Sequence, residues 1–358
     1  MKKKSYKVGS LFAGIGGICT AFEQSGCEVV WANENDKHAC TTYKHNYPKV
    51  KLYEESINTL VERDLIDDKK SSKNNMVFKP LKAIGIPEID ILTSGFPCQA
   101  FSVAGYRQGF NDEKGRGNLF FRTAEFIEAF KPKAFLLENV KNMNGHDKGK
   151  TIKVIEETIK NELGYSFIKF ILNSKDFGNV PQNRERIYIV GFRNESSYSI
   201  NDSTKTGNIL THNFNIPKPI KLTKTIHDLL EVERQEDKFY YNSEHQYYKE
   251  LNDKMSSRDT IYQWRRVYVR ENKNKLCPTL TANMGTGGHN VPLIIDNFGI
   301  RKLIPSECLK FQGFPRKFKF PSGMAASHCY KQAGNSVVVP VIKRIADEIV
   351  RVLSLSEE

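Results

Sequence analysis

Apolar runs of strand length alternate with helical patterns through the first half of this chain. The strand-like runs are Tyr6–Phe12, Glu28–Ala32, Ile89–Thr93, Ala134–Leu137, Phe167–Leu172 and Ile187–Phe192. The helical patterns between them are Ile18–Gln24, Lys37–His45, Leu119–Phe130 and Ile152–Leu163. This alternation is the signature of an α/β fold built on an open sheet.

The pattern changes after about Arg193. Residues 194–260 are polar, rich in Asn and Tyr and only weakly periodic, so no elements are assigned there. Between Val337 and Leu353 the chain returns to a helical apolar pattern that suits packing on a sheet. We therefore predict a first domain formed by residues 1–193 and 330–358, with a smaller domain, residues 194–329, inserted between its two parts.

The composition excludes several classes of protein. The 358-residue chain contains no apolar run of about 18 residues, which excludes a membrane span. Its charged start, residues 1–5, is not followed by the apolar region of a secretory signal. The seven cysteines form no CxxC pair, so neither a metal site nor a disulfide framework is expected, and reduced thiols fit a cytoplasmic protein.

The charge balance favours a polyanionic partner. Lys and Arg number 54 against 41 Asp and Glu, which gives a net charge of +13. A generally Lys-rich surface explains the total charge equally well. The local distribution is more informative, because one stretch concentrates five basic side chains with only Glu271 opposing them: Arg265, Arg266, Arg270, Lys273 and Lys275.

A glycine-rich turn, SLFAGIGG at residues 10–17, follows the first strand and opens a helix. Small residues there let the backbone approach a ligand, and the helix start offers free N–H groups. Glu34 stands twenty residues after Gly14, at the end of the second strand, where an acidic side chain commonly binds ribose hydroxyls. Cys19 occupies the place of the third glycine of a dinucleotide motif, which favours a nucleoside without pyrophosphate, such as S-adenosylmethionine, over NAD. A plain tight turn is the alternative.

A single cysteine follows another predicted strand in the stretch TSGFPCQAFS, residues 93–102. Pro97 stiffens the turn that presents Cys98, and the carboxyl ends of such strands are where ligands bind. An inert buried thiol is the commoner fate of a cysteine, but those lie on periodic apolar faces. No His is near Cys98 in sequence, so a thiol hydrolase has little support.

Two further segments deliver polar groups to the same sheet edge. The strand at residues 134–137 leads into Glu138, and Arg184 and Arg186 stand two residues apart before another strand, facing the same way. A helix cap and a solvated arginine pair are the alternatives. Together with Cys98 the set suits a cytosine: the thiolate adds to C6, a protonated Glu138 binds N3 and an arginine holds O2. Position C5 then becomes nucleophilic toward a sulfonium methyl group.

Eight motifs resemble those of the DNA (cytosine-5)-methyltransferases of bacterial restriction–modification systems, in the family's order. They cover roughly residues 6–193 and 299–350 and read FAGIGG, NENDKHA, GFPCQAFS, GNLFF, LLENVKN, PQNRERIYIVGF, RKLIPSECLKFQGFP and QAGNSVVVPV. The resemblance implies a Rossmann-like fold of the S-adenosylmethionine-dependent methyltransferases, with a smaller inserted target-recognition domain. It also implies methylation of double-stranded DNA at a short specific site, with S-adenosylhomocysteine as the second product.

The resemblance assigns roles position by position. Cys98 matches the nucleophile, Glu138 the group at N3, and Arg186, with Arg184 nearby, the group that orients the base. The stretch Gln99–Gly117 resembles a loop that closes over DNA, and the family rotates its target cytosine out of the duplex. Twelve positions match the S-adenosylmethionine pocket: Phe12, Ala13, Gly14, Gly16, Glu34, Asn35, Ile57, Pro97, Leu119, Asn335, Ser336 and Val337.

Candidate DNA contacts lie in the closing loop and in the variable middle region. The stretch IYQWRRVYVR interleaves basic and aromatic residues, and CPTLTANMGTGGHN resembles a loop that approaches bases. The individual candidates are Gln99, Ser102, Arg265, Arg266, Arg270, Thr279, Thr281, Thr286 and Gly287. We expect a monomer without an obligate protein partner. An RNA-directed relative that methylates tRNA and an inactive DNA-binding paralogue are the alternatives.

Overall fold

The computed structural model describes residues 5–67, 81–83, 85–97, 119–193, 211, 213–265, 267–285 and 291–355. The strands within these ranges are β1 (Lys7–Leu11), β2 (Glu28–Asn33), β3 (Lys51–Tyr53), β4 (Leu65–Asp67), β5 (Leu81–Ala83), β6 (Ile91–Ser94), β7 (Ala134–Val140), β8 (Ile168–Asn173), β9 (Gln182–Asn183), β10 (Glu185–Phe192), β11 (Tyr262–Arg265), β12 (Tyr268–Glu271), β13 (Cys277–Pro278), β14 (Val291–Ile295) and β15 (Ile300–Lys302).

The α-helices in the same ranges are α1 (Gly17–Gln24), α2 (Lys37–Asn46), α3 (Ile57–Asp64), α4 (Leu119–Phe130), α5 (Lys150–Glu157), α6 (Ser174–Phe177), α7 (Tyr248–Lys254), α8 (Pro305–Phe311), α9 (Ala326–Asn335) and α10 (Val339–Leu355). Within the ranges that the structure covers, no helix has the length and apolar character needed to cross a membrane.

Seven strands form the main sheet, in the order β3-β2-β1-β6-β7-β10-β8. The pairs from β3 to β7 are parallel, whereas β10 runs antiparallel to both of its neighbours, β7 and β8. The carboxyl ends of β1, β2, β6 and β7 therefore meet at one edge of the sheet. Strand β10 enters the sheet at that same edge, and it brings its first residues beside the last residues of β7.

Apolar side chains cover both faces of the main sheet, as a sheet buried by helices requires. Along β7, Ala134 and Leu136 join one cluster while Phe135 and Leu137 join the other. The first cluster also contains the buried faces of α1, α9 and α10. The second contains those of α3, α4 and α5. The period of two along each strand thus sorts alternate residues to opposite faces.

A smaller four-stranded sheet, β12-β11-β14-β15, follows in the chain and is antiparallel in each pair. Its own apolar cluster includes Leu251, Tyr262 and Leu293. Several contacts join residues 213–302 to the rest of the described chain, and two of them lie close to this sheet. Strand β13 pairs in parallel with β9, and the fully buried Arg301 of β15 binds Glu307 of α8 through two hydrogen bonds of 2.7 and 2.8 Å.

The six strands and four helices expected from the first half are confirmed, with shifted ends. The short β3 is an additional strand that the apolar pattern did not reveal. Strand β7 runs on to Val140, so Glu138 lies inside it rather than after it, because the antiparallel partner β10 extends the pairing. Helix α5 ends at Glu157 and a π-helical turn, Thr158–Glu162, follows. The boundaries of the two domains stay a prediction.

Replacing Gly9 by Ala tests the close packing of β1 on β2. An added Cβ would lie 2.3 Å from the fully buried Trp31 ring. We expect Gly9→Ala to lower the free energy of unfolding by about 1–3 kcal/mol because the core cannot take the extra atom. Urea denaturation measures the loss. Gly145→Ala, where an added Cβ meets nothing within 4 Å, is the control, and equal stabilities of the two variants would contradict the expectation.

Candidate active site

A cavity of about 650 Å³ opens at the carboxyl edge of the main sheet. Its walls come from five places in the chain: the turn after β1, the end of β2, the turn after β6, the end of β7 with the start of β10, and the end of α9 with the residues that follow. This is the position at which open α/β sheets bind ligands, because strand ends and helix starts leave backbone groups free there.

The glycine-rich turn forms the floor of this cavity. Phe12 has a φ of 52°, a left-handed conformation that is uncommon for a residue with a side chain. Gly14 follows with a φ of 57°, and a Cβ placed on it meets nothing within 4 Å. The chain therefore bends sharply before α1 and leaves open space directly above Gly14.

The Glu34 carboxylate is fixed by three backbone N–H groups. Its Oε2 accepts from Gly14 at 2.9 Å, and its Oε1 accepts from Asn35 at 2.9 Å and from Asp36 at 2.8 Å. This side chain thereby links the glycine-rich turn to the end of β2. Because its position is set by the backbone, Glu34 presents an oriented acceptor to the cavity.

An ion pair closes the cavity near this edge. Asp36 caps α2 by accepting from the N–H groups of His38 and Ala39, each at 3.0 Å. Its second oxygen binds Nζ of Lys331 on α9 at 2.6 Å. Hydrogen bonds from Lys331 and from these N–H groups lower the pKa of Asp36 against the opposing effect of burial. The pair holds α2 against α9 beside Glu34.

Glu138 and Arg186 form a largely buried ion pair on the opposite wall. In the β7–β10 register, Glu138 stands opposite Tyr188 and Arg186 opposite Val140. The two side chains therefore share one face, and Nε of Arg186 lies 3.1 Å from Oε1 of Glu138. Burial raises the pKa of Glu138 although both arginines oppose the shift. A carboxyl in this setting holds its proton at a higher pH than an exposed one.

Asn139 fixes the turn that leads to the predicted nucleophile. Its Nδ2 donates to the carbonyl of Phe96 at 2.7 Å, and its Oδ1 accepts from the N–H of Val140 at 2.8 Å. A Cβ on Gly95 would lie 3.8 Å from Oε2 of Glu138. The turn at residues 95–97 thus lies beside Glu138. Cys98 comes next in the chain and falls outside the described residues.

Arg184 and Arg186 are both predicted to stand immediately before a strand and to face the same way. In the structure Arg186 is in β10, whereas Arg184 lies in the break between β9 and β10. The Arg184 guanidinium is buried and donates to three carbonyls: Leu280 at 2.8 Å, Gly334 at 3.1 Å and Ser336 at 2.5 Å. The guanidinium thereby ties the start of β10 to these segments, and Arg184 lines the same cavity as Glu138 and Arg186.

Nine of the twelve predicted cofactor positions line the cavity: Phe12, Ala13, Gly14, Glu34, Asn35, Pro97, Asn335, Ser336 and Val337. Three do not. Gly16 packs against Tyr47, whose ring would lie 2.3 Å from an added Cβ, while Ile57 and Leu119 begin α3 and α4. Further residues line the cavity without having been predicted, among them Ile15, Ile18, Asp36, Asn139, Lys331 and Gln332. Each of these six stands inside or next to one of the eight family motifs.

The predicted DNA contacts are only partly described. Arg265 and Arg270 lie in the β11–β12 hairpin. The hydroxyl of Thr279 donates to the carbonyl of Asn183 at 2.7 Å, and that of Thr281 donates to Asn283 at 2.8 Å, so both hydroxyls have partners within the protein. Five candidates lie outside the described residues: Gln99, Ser102, Arg266, Thr286 and Gly287.

The fold and the site together define a class. The fold is that of the S-adenosylmethionine-dependent methyltransferases, with a seven-stranded open sheet in which one strand, β10, is antiparallel to its neighbours. The site combines a glycine-rich turn held by an acidic residue with a largely buried carboxyl–guanidinium pair. Sequence comparison narrows the class. Residues 6–351 match the family model of C-5 cytosine-specific DNA methylases, and the chain belongs to this family.

Curated relatives align along nearly the whole chain. The type II methyltransferase M.Bsp6I of Bacillus sp. (strain RFL6) is 52% identical over 346 residues, which are 96% of this chain and 98% of that protein. The type II methyltransferase M.HaeII of Haemophilus aegyptius is 37% identical over 355 residues, 99% of this chain and 95% of that protein. Family and relatives identify a DNA (cytosine-5-)-methyltransferase.

Solved structures agree in fold. A mutant of Spodoptera frugiperda DNMT2 superposes with a TM-score of 0.66 at 19% identity, covering 96% of this chain and 99% of that one. The S. pombe Dnmt2 methyltransferase gives a TM-score of 0.64 at 17% identity, covering 98% and 99%. At these identities the likeness concerns the fold.

Removing the Asn139 side chain tests how the turn at residues 95–97 is held. Asn139→Ala leaves the buried Phe96 carbonyl without its donor, and we expect a loss of about 1–3 kcal/mol in the free energy of unfolding. Thermal and urea denaturation measure it. The control is Asn144→Ala, which removes only the exposed contact with Lys169 and should change stability by less than about 0.5 kcal/mol. Indistinguishable variants would show that the turn does not depend on Asn139.

Proposed function

We propose that this protein transfers a methyl group from S-adenosylmethionine to C5 of a cytosine within a short, specific sequence of double-stranded DNA, through a covalent Cys98–C6 adduct on a flipped base. The observation that carries the proposal is the largely buried Glu138–Arg186 pair at 3.1 Å, beside the turn that leads into Cys98. The names of the curated relatives support a role as the modification enzyme of a restriction–modification system.

The cavity fits a nucleoside that carries no phosphate. Phe12, Ile18 and Val337 give it an apolar wall, and Glu34 offers an oriented carboxylate. The space above Gly14, where an added Cβ meets nothing, admits a ligand close to the backbone. Glu34 would accept from ribose hydroxyls, and the apolar residues would cover the adenine. When bound, the cofactor supplies an electrophilic methyl group on a sulfonium.

The chain's own groups activate the cytosine. The Cys98 thiolate forms a bond with C6, and the electron pair of the C5–C6 double bond becomes available at C5. In its protonated form, which burial favours by raising the pKa of the carboxyl, Glu138 donates a hydrogen bond to N3 and so accommodates the charge that develops on the ring. Arg186 orients the base. After transfer, a solvent base removes the proton from C5, and the electron pair left behind re-forms the C5–C6 double bond as the Cys98 thiolate leaves, which restores the aromatic ring.

The target cytosine has to leave the helix for this chemistry. In a duplex C6 is stacked between neighbouring bases, so a thiolate reaches it only after the nucleotide rotates outward. A net charge of +13 supports binding to the phosphate backbone during this step. The monomeric state and the cytoplasmic location stay predictions.

Replacing Cys98 by Ser tests the nucleophile. A hydroxyl is a much weaker nucleophile than a thiolate, so we expect Cys98→Ser to lower methyl transfer from labelled S-adenosylmethionine to unmethylated duplex DNA at least about 1,000-fold. The matched control is Cys27→Ser, because burial raises the pKa of Cys27 to about 12 and Cys27 is not among the described residues that line the cavity. An unchanged rate in Cys98→Ser would refute the proposal, and adding tRNA as competitor distinguishes an RNA-directed enzyme.

Replacing Glu138 by Gln tests the proton at N3. Since the pKa of Glu138 is raised by burial, its proton is present below that pKa and is lost as the pH rises through it. The wild-type rate should therefore fall on the alkaline side, whereas Glu138→Gln keeps a donor and should lose that fall while running at least about 10-fold slower. Single-turnover rates against pH measure both.

The free energy of unfolding depends on pH through the same shift in the pKa of Glu138. A raised carboxyl pKa stabilises the folded state most at low pH, and this contribution is lost as the pH rises from the unfolded pKa to the folded one. Glu138→Gln should remove that slope. An alkaline fall of the rate that persists in Glu138→Gln would assign it to another group.

A further inference from the structure

Three buried side chains connect segments that are far apart in the sequence. Gln182 donates to the carbonyl of Phe311 at 2.7 Å and to Gln312 at 3.2 Å, and Gln312 donates to the carbonyl of Ala333 at 2.6 Å. Arg184 adds its three bonds to carbonyls. We call Gln182, Arg184 and Gln312 the polar clasp. All three are at most 3% exposed, so water does not compete for their hydrogen bonds.

One segment held by the clasp is residues 277–285, the described start of the predicted recognition loop. Leu280 is held from both sides: its carbonyl accepts from Arg184 at 2.8 Å, and its N–H donates to Gln182 at 3.3 Å. The hydroxyl of Thr279 donates to Asn183 at 2.7 Å. The segment is thus attached to the β9–β10 break by hydrogen bonds from consecutive residues.

The other segment is the cavity wall at residues 334–336. Its Gly334 and Ser336 carbonyls accept from Arg184, and both residues line the cavity. Gly334 also contacts the recognition segment directly, since an added Cβ would lie 2.2 Å from the carbonyl carbon of Thr281. One guanidinium therefore joins the wall of the cofactor cavity to the segment that is expected to meet DNA.

The hydrogen bonds of the Arg184 guanidinium go to the backbone of other segments. Both terminal nitrogens donate to backbone carbonyls. The third, Nε, is sealed from solvent and has no acceptor among the residues that the structure describes. Arg186, by contrast, binds Glu138. The two arginines of this motif therefore have different partners, backbone carbonyls for Arg184 and a carboxylate for Arg186.

We infer that Arg184 is a positioning residue that fixes the recognition segment, residues 277–285, at a set distance from the cavity wall at residues 334–336, so that target discrimination and cofactor binding depend on one side chain. The inference rests on the proposed function for the identity of both ligands. Arginine suits the task because its planar fork serves several acceptors at once, whereas lysine offers one compact ammonium.

The test compares Arg184→Lys with its matched control, Arg186→Lys. Methylated cytosines are mapped by sequencing in DNA from a host that expresses each protein, and S-adenosylmethionine binding is measured by calorimetry. We expect Arg184→Lys to raise methylation at sites with one changed base pair, relative to the main site, about 10-fold to 100-fold and to weaken cofactor binding. Arg186→Lys should slow methylation while it keeps both the site preference and the cofactor affinity.

A second measurement does not need catalysis. Hydrogen–deuterium exchange of peptides that cover residues 277–285 should rise in Arg184→Lys and stay at the wild-type level in Arg186→Lys, with strand β7 protected in both. Thr279→Val, which removes one hydroxyl contact and keeps Arg184, should give an intermediate rise even if Arg184→Lys does not fold. A wild-type protein without methyl transfer would refute the proposed function, and the exchange result would still decide the inference.

Two outcomes would overturn the inference. If Arg184→Lys only slows methylation, with unchanged site preference, cofactor affinity and exchange, Arg184 acts on the base as the sequence motif suggested. If exchange at residues 277–285 is the same in all of these proteins, the clasp does not hold the segment. A rise in exchange together with relaxed site preference and weaker cofactor binding supports the inference, because a direct contact with the base would not move all three.

Discussion

A carboxyl and a guanidinium held together in a largely buried pair set the requirements for the rest of this structure. Burying either charge alone is costly, so Glu138 needs Arg186 at 3.1 Å, and Arg186 needs a strand that enters the sheet at the right edge. The antiparallel β10 meets this need, because its first residues lie beside the last residues of β7. A wholly parallel sheet would place these two side chains at opposite ends of their strands.

The same edge collects the other groups from separate parts of the chain. Glu34 arrives at the end of β2 and is fixed by the N–H groups of Gly14, Asn35 and Asp36. Asn139 holds the turn after β6 through the Phe96 carbonyl. These side chains use the backbone as their partner, so their positions are fixed where the proposed cofactor and base would bind. A rigid first layer is what preorganised catalysis needs.

The parts of the site that depend on local sequence patterns could be predicted, whereas the parts that depend on contacts between distant segments could not. The glycine-rich turn and Glu34 belong to one strand–turn–helix–strand unit, and the ends of neighbouring parallel strands meet, so Glu138 and Arg186 could be brought to one edge from the sequence. The partners of Arg184 could not, since they are backbone carbonyls 96 to 152 residues away that any residue type provides. The three-residue β3 is likewise too short for a periodic signal.

The packing of the last helix on the first has a consequence for synthesis. Gly17 opens α1 against Ser336 and Val337, where an added Cβ would lie 2.8 and 2.9 Å from their side chains, and α1 packs on α10. During synthesis, Ser336, Val337 and α10 follow α1 by more than 300 residues. The residues of α9 and α10 that cover this face are therefore made long after the central strands, so part of the face stays exposed in the nascent chain, and a chaperone that shields it should engage the chain during that interval.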